Sequence, residues 1–329
     1  MRYLVVILLF SHLISFSQGC DSLLEQSITN PGIYTFSFYD ESSGIRNGPD
    51  YSGSTIFYPT NNLVDLASVI IVPGFMNTES TIQNWGPFLS SNGIVTMTIG
   101  TNNLTDSHID RRDALLDAII SLKAENQRLG SPLYNRIDTT RIALGGFSKG
   151  GGGAQLAAVA NSDLKAIFAL YPWLDNPTSN DLNHNVPVII VSGQLDAIAP
   201  PSIHADVHYN LTPQNTKKLK YEVQFASHDA LSGPNGGNGD VGVKVFSWLQ
   251  TYLIEDSCYC PLLLSPAITS SDYLTNVSCD FTNVIQDDII GVNLLKIVDF
   301  FGRDANNNDN VPLFYIYQNG VVKKKMMIR

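Results

Sequence analysis

Three residues that together could carry out nucleophilic chemistry follow one another along this chain: Ser148, Asp196 and His228. Ser148 is the centre of Gly146-Phe147-Ser148-Lys149-Gly150, a G-x-S-x-G pattern. Only small neighbours permit the sharp strand-to-helix turn that lifts such a serine hydroxyl clear of a sheet. The run Arg141-Ile142-Ala143-Leu144 before it and the Ala-rich stretch 154–160 after it supply the strand and the helix that the turn requires. A serine hydroxyl attacks poorly until a base takes its proton, so the turn calls for a histidine and an orienting carboxylate, in the chain order serine, acid, histidine. Of the six histidines, His228 sits just after an apolar strand-like run, in Phe225-Ala226-Ser227-His228-Asp229. His108 lies upstream, and His184, His204 and His208 lie in polar loop or helix contexts. Asp196 holds the matching place after the preceding run 188–193, with Asp175 the alternative acid and Asp181 and Asp229 less well placed.

Attack on a carbonyl develops negative charge on its oxygen, which backbone N–H groups would have to receive. The amide of Lys149, next after the serine at a helix start, is one expected donor. The amide of Phe75, in Val72-Pro73-Gly74-Phe75-Met76-Asn77, is the other. The Phe75 ring and Trp173, in Tyr171-Pro172-Trp173, would flank the serine as aromatic walls, core packing being the alternative for Trp173. The glycines at 150–153 are not a phosphate loop, because no G-x-x-x-x-G-K-[ST] pattern is present.

These residues need a scaffold that brings strand ends together. Apolar or β-forming runs at 34–39, 54–59, 67–72, 94–99, 166–171 and 188–193 read as strands, with 221–225 as the last core strand. Helical patterns fall between them at 82–92 and 106–128, and 241–253 reads as a closing helix. The alternation implies an α/β fold with a mostly parallel sheet flanked by helices, and sites in such sheets gather at the carboxyl ends of the strands. Residues 265–280 are Ser/Thr-rich and read as a linker, and a short β-like module follows from Leu294, ending in Lys323-Lys324-Lys325. The stretch from Asp304 to Asp309 reads as a hairpin turn: a calcium loop would need a glycine, and a glutamate where Tyr315 stands.

The 329 residues suffice for one large domain and an appendage. With 44% apolar and 15% charged residues the chain is globular in composition, and a formal charge of −10 argues against a nucleic-acid partner. Met1-Arg2 and the apolar core 4–10 read as a secretory signal peptide, cleaved near Ser17 and too short to span a membrane. Export gives the four cysteines meaning as disulfides. Cys258 and Cys260 are poorly placed to bond each other, so Cys279 is expected to pair with one of them, Cys260 preferred, leaving the other for Cys20. A lipid anchor at Cys20 is the alternative, and zinc is not expected because no histidine stands near the C-x-C pair.

From about Pro31 to Cys279 the chain resembles the bacterial polyester hydrolases of the cutinase and poly(ethylene terephthalate) (PET) hydrolase family, within the dienelactone-hydrolase-like branch of the α/β-hydrolases. The pieces that carry this are Val72-Pro73-Gly74-Phe75, Asn84-Trp85-Gly86-Pro87, Gly146-Phe147-Ser148-Lys149-Gly150-Gly151-Gly152, Pro172-Trp173, Leu195-Asp196-Ala197-Ile198-Ala199-Pro200, Ser227-His228 and the C-terminal cysteines. The resemblance implies a secreted, monomeric serine esterase without cofactor or metal. Its triad would be Ser148, Asp196 and His228, its oxyanion donors Phe75 and Lys149, and its aromatic clamp Trp173. Phe75 stands where many members carry Tyr, and Lys149 where most carry Met or Gln, so the cleft wall differs. The stretch 294–328 separately resembles the C-terminal sorting domain of the Bacteroidetes type IX secretion system. Together these imply a signal peptide at 1–17, a catalytic domain at 18–280 and a module at 281–329 that engages secretion machinery, with the enzyme free or at the cell surface. A general short-chain esterase or lipase, a dienelactone hydrolase, and an inactive surface-binding module are the alternatives. Dienelactone hydrolases generally carry Cys at the turn, and no lipase lid is evident.

Overall fold

Runs that are apolar throughout become strands covered on both faces, and that is the organisation of a computed structural model of the chain. It describes residues 20, 24–228, 232–279, 294–298, 303, 313–317 and 322–325. The signal-peptide stretch 1–17 and the Asp304–Asp309 turn lie outside the described residues. Nine strands form one sheet: β1 (Phe36–Asp40), β2 (Ser54–Pro59), β3 (Leu66–Val72), β4 (Val95–Ile99), β5 (Ile137–Phe147), β6 (Ala166–Leu170), β7 (Val188–Gly193), β8 (Lys218–Val223) and β9 (Ser270–Thr275). Their spatial order is β1-β2-β4-β3-β5-β6-β7-β8-β9. From β4 across to β8 the pairings are parallel, whereas β1, β2 and β9 join antiparallel at the two edges.

The helices are α1 (Leu24–Ser27), α2 (Trp85–Ser91), α3 (His108–Glu125), α4 (Lys149–Ala160), α5 (Ala205–Leu211) and α6 (Asp240–Leu249). Successive strand residues point to opposite faces, so the sheet separates two cores. Val69, Ile71, Ile189 and Val191 join Trp85, Phe88, Phe168 and Trp248 on one side. Ile70, Val72, Val188 and Ile190 join Leu115, Leu122, Ala154 and Ala157 on the other. α3 begins with a reciprocal cap, in which Ser107 accepts from the Asp110 amide and the Asp110 carboxylate accepts from the Ser107 amide. The chain divides into two compact units, one of them Cys20–Cys279. In the other, β10 (Leu294–Val298), β11 (Leu313–Tyr317) and β12 (Val322–Lys325) form an antiparallel three-stranded sheet.

Two expectations need correction. The stretch 265–280 is not a linker throughout, and 221–225 is not the last strand of the core sheet. β8 starts earlier, at Lys218, and β9 pairs with it antiparallel, setting Tyr221 opposite Tyr273. Serines and threonines tolerate an edge strand, and two lysines disguised β8. Lys218 is buried because its ammonium donates to the Tyr209 and Thr212 carbonyls at 2.7 and 2.6 Å, closing the end of α5. Lys220 is paired with Asp206 and Asp272.

Cys260 is joined to Cys279, and Cys20 to Cys258. His184, His204 and His208, in polar loop or helix contexts by sequence, are all buried. Burial pushes the imidazoles of His184 and His208 down, to about 4 and about 3. A histidine neutral in the fold but free to protonate when unfolded contributes stability that is complete above the ordinary value near 6.5 and drains away as the pH falls toward the folded values. The free energy of unfolding should therefore drop by about 2 kcal/mol per pH unit between pH 6.5 and 4.5, since each of the two histidines takes up most of a proton on unfolding and one proton is worth about 1.4 kcal/mol per unit. Denaturant titrations at those pH values test this, with His208→Gln expected to flatten the slope; a stability constant over that interval would refute it.

Candidate active site

β5 runs straight into α4, and Ser148 sits at the junction with φ 55° and ψ −120°. A side chain adopts that backbone conformation only where the surroundings hold it. The Ser148 amide donates to the Leu170 carbonyl at 2.8 Å, and the Ser148 carbonyl accepts from Trp173 and Gly152 at 3.0 and 3.2 Å. The glycines are needed for close approach: a Cβ at Gly146 would lie 2.1 Å from the Gly150 carbonyl oxygen, and one at Gly150 would lie 2.5 Å from that of Val72.

Asp196 and His228 come from the loops after β7 and β8. These loops are stitched together by Leu195 donating to the Ala226 carbonyl and by the Phe225 amide donating to the Gln194 side chain, at 2.9 and 3.0 Å. Asp196 Oδ2 lies 2.7 Å from His228 Nδ1, while Oδ1 accepts from the Ile198 and Ala199 amides at 2.8 and 2.7 Å. Burial pushes the Asp196 carboxyl up, but the bond with His228 and the two amides outweigh it and hold the group below its ordinary value. An ionised carboxylate can only accept, so it is Nδ1 of His228 that carries a proton toward Asp196. The imidazole is buried against Phe147, the residue before Ser148, and Tyr171, with ring centroids 5.0 and 5.5 Å away.

Phe75 lies in the turn after β3, exposed, with the Lys149 ammonium 4.7 Å from its ring centroid. The neighbouring Gly74 sits so close to the serine that a Cβ there would be 2.9 Å from the Ser148 Cβ. Trp173, half-buried, stacks on His204 with centroids 4.1 Å apart and donates from its indole to Asp175 at 2.8 Å. Asp175 also stands 3.7 Å from His108, so its carboxylate is taken up on the Trp173 side of the site. The structure thus brings Asp196, His228 and the Ser148 turn together and pairs Asp175 elsewhere. Sequence reasoning missed His204, whose stacking on Trp173 gives no periodic signal in a short helix start.

A model of the PET hydrolase-like family matches residues 28–280. A cutinase of Thermobifida alba is 35% identical over 228 residues, 69% of this chain and 74% of that protein. A Thermobifida fusca cutinase is 34% identical over 246 residues, covering 74% of this chain and 76% of the relative. The chain belongs to the PET hydrolase-like family. With that it is a carboxylic ester hydrolase on an α/β-hydrolase fold. A further relative, a bis(hydroxyethyl) terephthalate hydrolase of Streptomyces coelicolor, is 33% identical over 246 residues, 73% of this chain and 76% of its own length.

The two carboxylates give a direct test of this geometry. Asp196→Asn should lower ester turnover by about three to four orders of magnitude, because an amide at that place favours the wrong imidazole tautomer. Asp175→Asn keeps an acceptor for the Trp173 indole and should stay within about tenfold of wild type. Steady-state rates on a p-nitrophenyl ester decide; a larger loss for Asp175→Asn would transfer the acid role to that residue.

Proposed function

We propose that the protein is a secreted polyester hydrolase that works through Ser148, His228 and Asp196. The observation that carries this reading is the Asp196–His228 pair standing at the carboxyl ends of adjacent strands beside the Ser148 turn. In the proposed cycle the Ser148 hydroxyl oxygen attacks the ester carbonyl carbon as its proton passes to His228 Nε2, and the carbonyl oxygen becomes an anion facing the Phe75 and Lys149 amides. Collapse breaks the carbon–oxygen bond to the alcohol, which leaves with the proton from His228. Water, deprotonated by the same imidazole, then attacks the acyl-serine; the acid is released and Ser148 regains its hydrogen. Asp196 holds the imidazole and stabilises its transient positive charge.

The polymer substrate is supported by the rim. Large apolar side chains on the loops following β3, β7 and β8 stay in water: Phe75 and Met76, Leu195 and Ile198, and Phe225, which is 72% exposed. Exposed apolar residues grouped around a reactive serine suit a flat, water-insoluble chain better than a small soluble ester. The Streptomyces relative, a bis(hydroxyethyl) terephthalate hydrolase by name, supports aromatic diesters as the substrate class. Both disulfides suit an exported protein. We further propose the division read from the sequence: a signal peptide at 1–17, the hydrolase at 18–280 and an export module at 281–329, the last resting on the resemblance of the stretch 294–328 to a sorting domain.

Ser148→Ala and His228→Ala should each lose several orders of magnitude in turnover, and the double variant little more, because the residues act as a unit. Trp173→Ala should lower release of soluble products from an aromatic polyester film about tenfold, equivalent to about 1.4 kcal/mol, while changing p-nitrophenyl acetate hydrolysis only slightly. Equal loss of both activities in folded protein would make Trp173 a support for the catalytic geometry. An unchanged film rate would leave a general short-chain esterase. Deletion from residue 283 onward should preserve hydrolysis by the purified protein but abolish export from the native host; normal export of the truncated chain would remove the sorting role.

A further inference from the structure

Arg111 lies in the first turn of α3 and is fully buried. It bonds to five backbone carbonyls. Nε donates to Pro73 at 2.9 Å, Nη2 to Gly74 at 2.7 Å and Leu104 at 3.3 Å, and Nη1 to Ser107 at 3.3 Å and to Asp106. Among the described residues no carboxylate forms an ion pair with it. Burial lowers the guanidinium pKa, with Asp106 and Asp110 opposing the shift, and the group stays cationic at neutral pH.

For stability alone this is a poor place for a cation. It lies at the positive end of α3, and its Cβ is only 3.0 Å from where a Cβ of Gly153, in the first turns of α4, would stand. Removing a charge from water costs several kcal/mol unless its bonds compensate. Residues that break a local rule in this way concentrate where function requires them.

The carbonyls it holds show what that function is. Pro73 and Gly74 belong to the turn after β3, and the Gly74 carbonyl shares one peptide plane with the Phe75 N–H. In a trans peptide these two groups point in opposite directions, so a guanidinium clamped on the carbonyl turns the N–H the other way. Gly74 itself abuts Ser148, a Cβ there falling 2.9 Å from the serine Cβ. The loop is held again where the Met76 amide donates to the Leu104 carbonyl at 2.8 Å, a carbonyl that Arg111 also engages. A cationic donor on the carbonyl side also polarises the peptide and strengthens its N–H as a donor.

We infer that Arg111 is a positioning residue of the oxyanion site, a buried guanidinium that fixes the Gly74–Phe75 peptide so that the Phe75 N–H faces the oxygen of the tetrahedral intermediate. This rests on the ester-hydrolase reading of Ser148. Arg111 touches no reacting atom and acts through the backbone it holds.

The test uses Arg111→Gln and Arg111→Lys in the full chain. Hydrolysis of p-nitrophenyl acetate is divided by the active sites that a phosphonate titrates, and Ki is measured for a phenylboronic acid, whose tetrahedral adduct on Ser148 carries an oxygen at the oxyanion position. In Arg111→Gln, kcat per titrated site should fall about 10–100-fold, somewhat less than removal of a donor outright, with KM within about twofold. The boronate Ki should rise by the same factor. Arg111→Lys keeps the charge but cannot span both carbonyls, and should recover part of both quantities. Wild-type kcat per titrated site and wild-type Ki in Arg111→Gln would overturn the inference whatever the melting temperature, because a packing role lowers the number of active molecules and not their chemistry. Should the glutamine variant not fold, the lysine variant decides by the same two numbers. Failure of the phosphonate to label Ser148 in the wild-type protein would be a different result, removing the hydrolase reading itself.

Discussion

The arrangement depends on one close approach, that of the start of α4 to the ends of β3, β5 and β6. Ser148 can hold a positive φ because its amide and carbonyl are both bonded to neighbouring backbone, one to Leu170 and the other to Gly152 and Trp173. Such a conformation costs of order 1–3 kcal/mol. The glycines that follow let the helix come near enough to supply those bonds. A side chain at Gly152 would meet the Trp173 carbonyl oxygen at 2.1 Å, so the same contact that holds the serine also places Trp173. The positions of Ser148, of the start of α4 and of Trp173 are therefore set by a single packing event.

The Asp196–His228 pair depends on a different device. Asp196 and His228 lie on separate loops, and two long loops would leave their separation undefined. Backbone bonds from Gln194 to Val223 and from Leu195 to Ala226 continue the β7–β8 pairing past the end of the sheet. A Cβ at Gly193 would lie 2.5 Å from the Ala226 carbonyl oxygen, so the glycine permits this continuation. Two amides hold one oxygen of Asp196 while the other serves the imidazole, which fixes the carboxylate plane before a substrate arrives. Preorganisation of this kind is what a transition-state charge needs, because no dipole has to turn at the moment of reaction.

The central strands were legible because parallel strands covered on both faces must be apolar throughout, as residues 66–72 and 188–193 are. The Ser148 turn was legible because its glycines have a steric reason. β9 and the start of β8 were not, since their polar residues are satisfied by tertiary partners that local pattern does not show: Lys220 by Asp206 and Asp272, Lys218 by the end of α5. α2 begins at Trp85 rather than Ile82, after a separate turn at Glu79–Thr81, and Pro87 fits its first turn because no amide there needs a partner. The burial of His204, His208 and Arg111 was not legible, because a buried polar group differs from an exposed one only in what surrounds it.

Charge near the serine follows from the same geometry. The chain carries a formal charge of −10, yet the residue after Ser148 is a lysine held over the Phe75 ring. An aromatic face attracts a cation by about 0.5–1 kcal/mol at an exposed site, enough to bias where this flexible side chain rests. The Lys149 charge and the amides at the start of α4 then favour negative charge at the same place, against an acidic background that repels carboxylates. Ester hydrolysis generates negative charge twice, first on the oxygen of the tetrahedral intermediate and then on the released acid. In the proposed cycle a local positive field beside the serine would stabilise the first, while the net charge of the whole molecule would favour departure of the second.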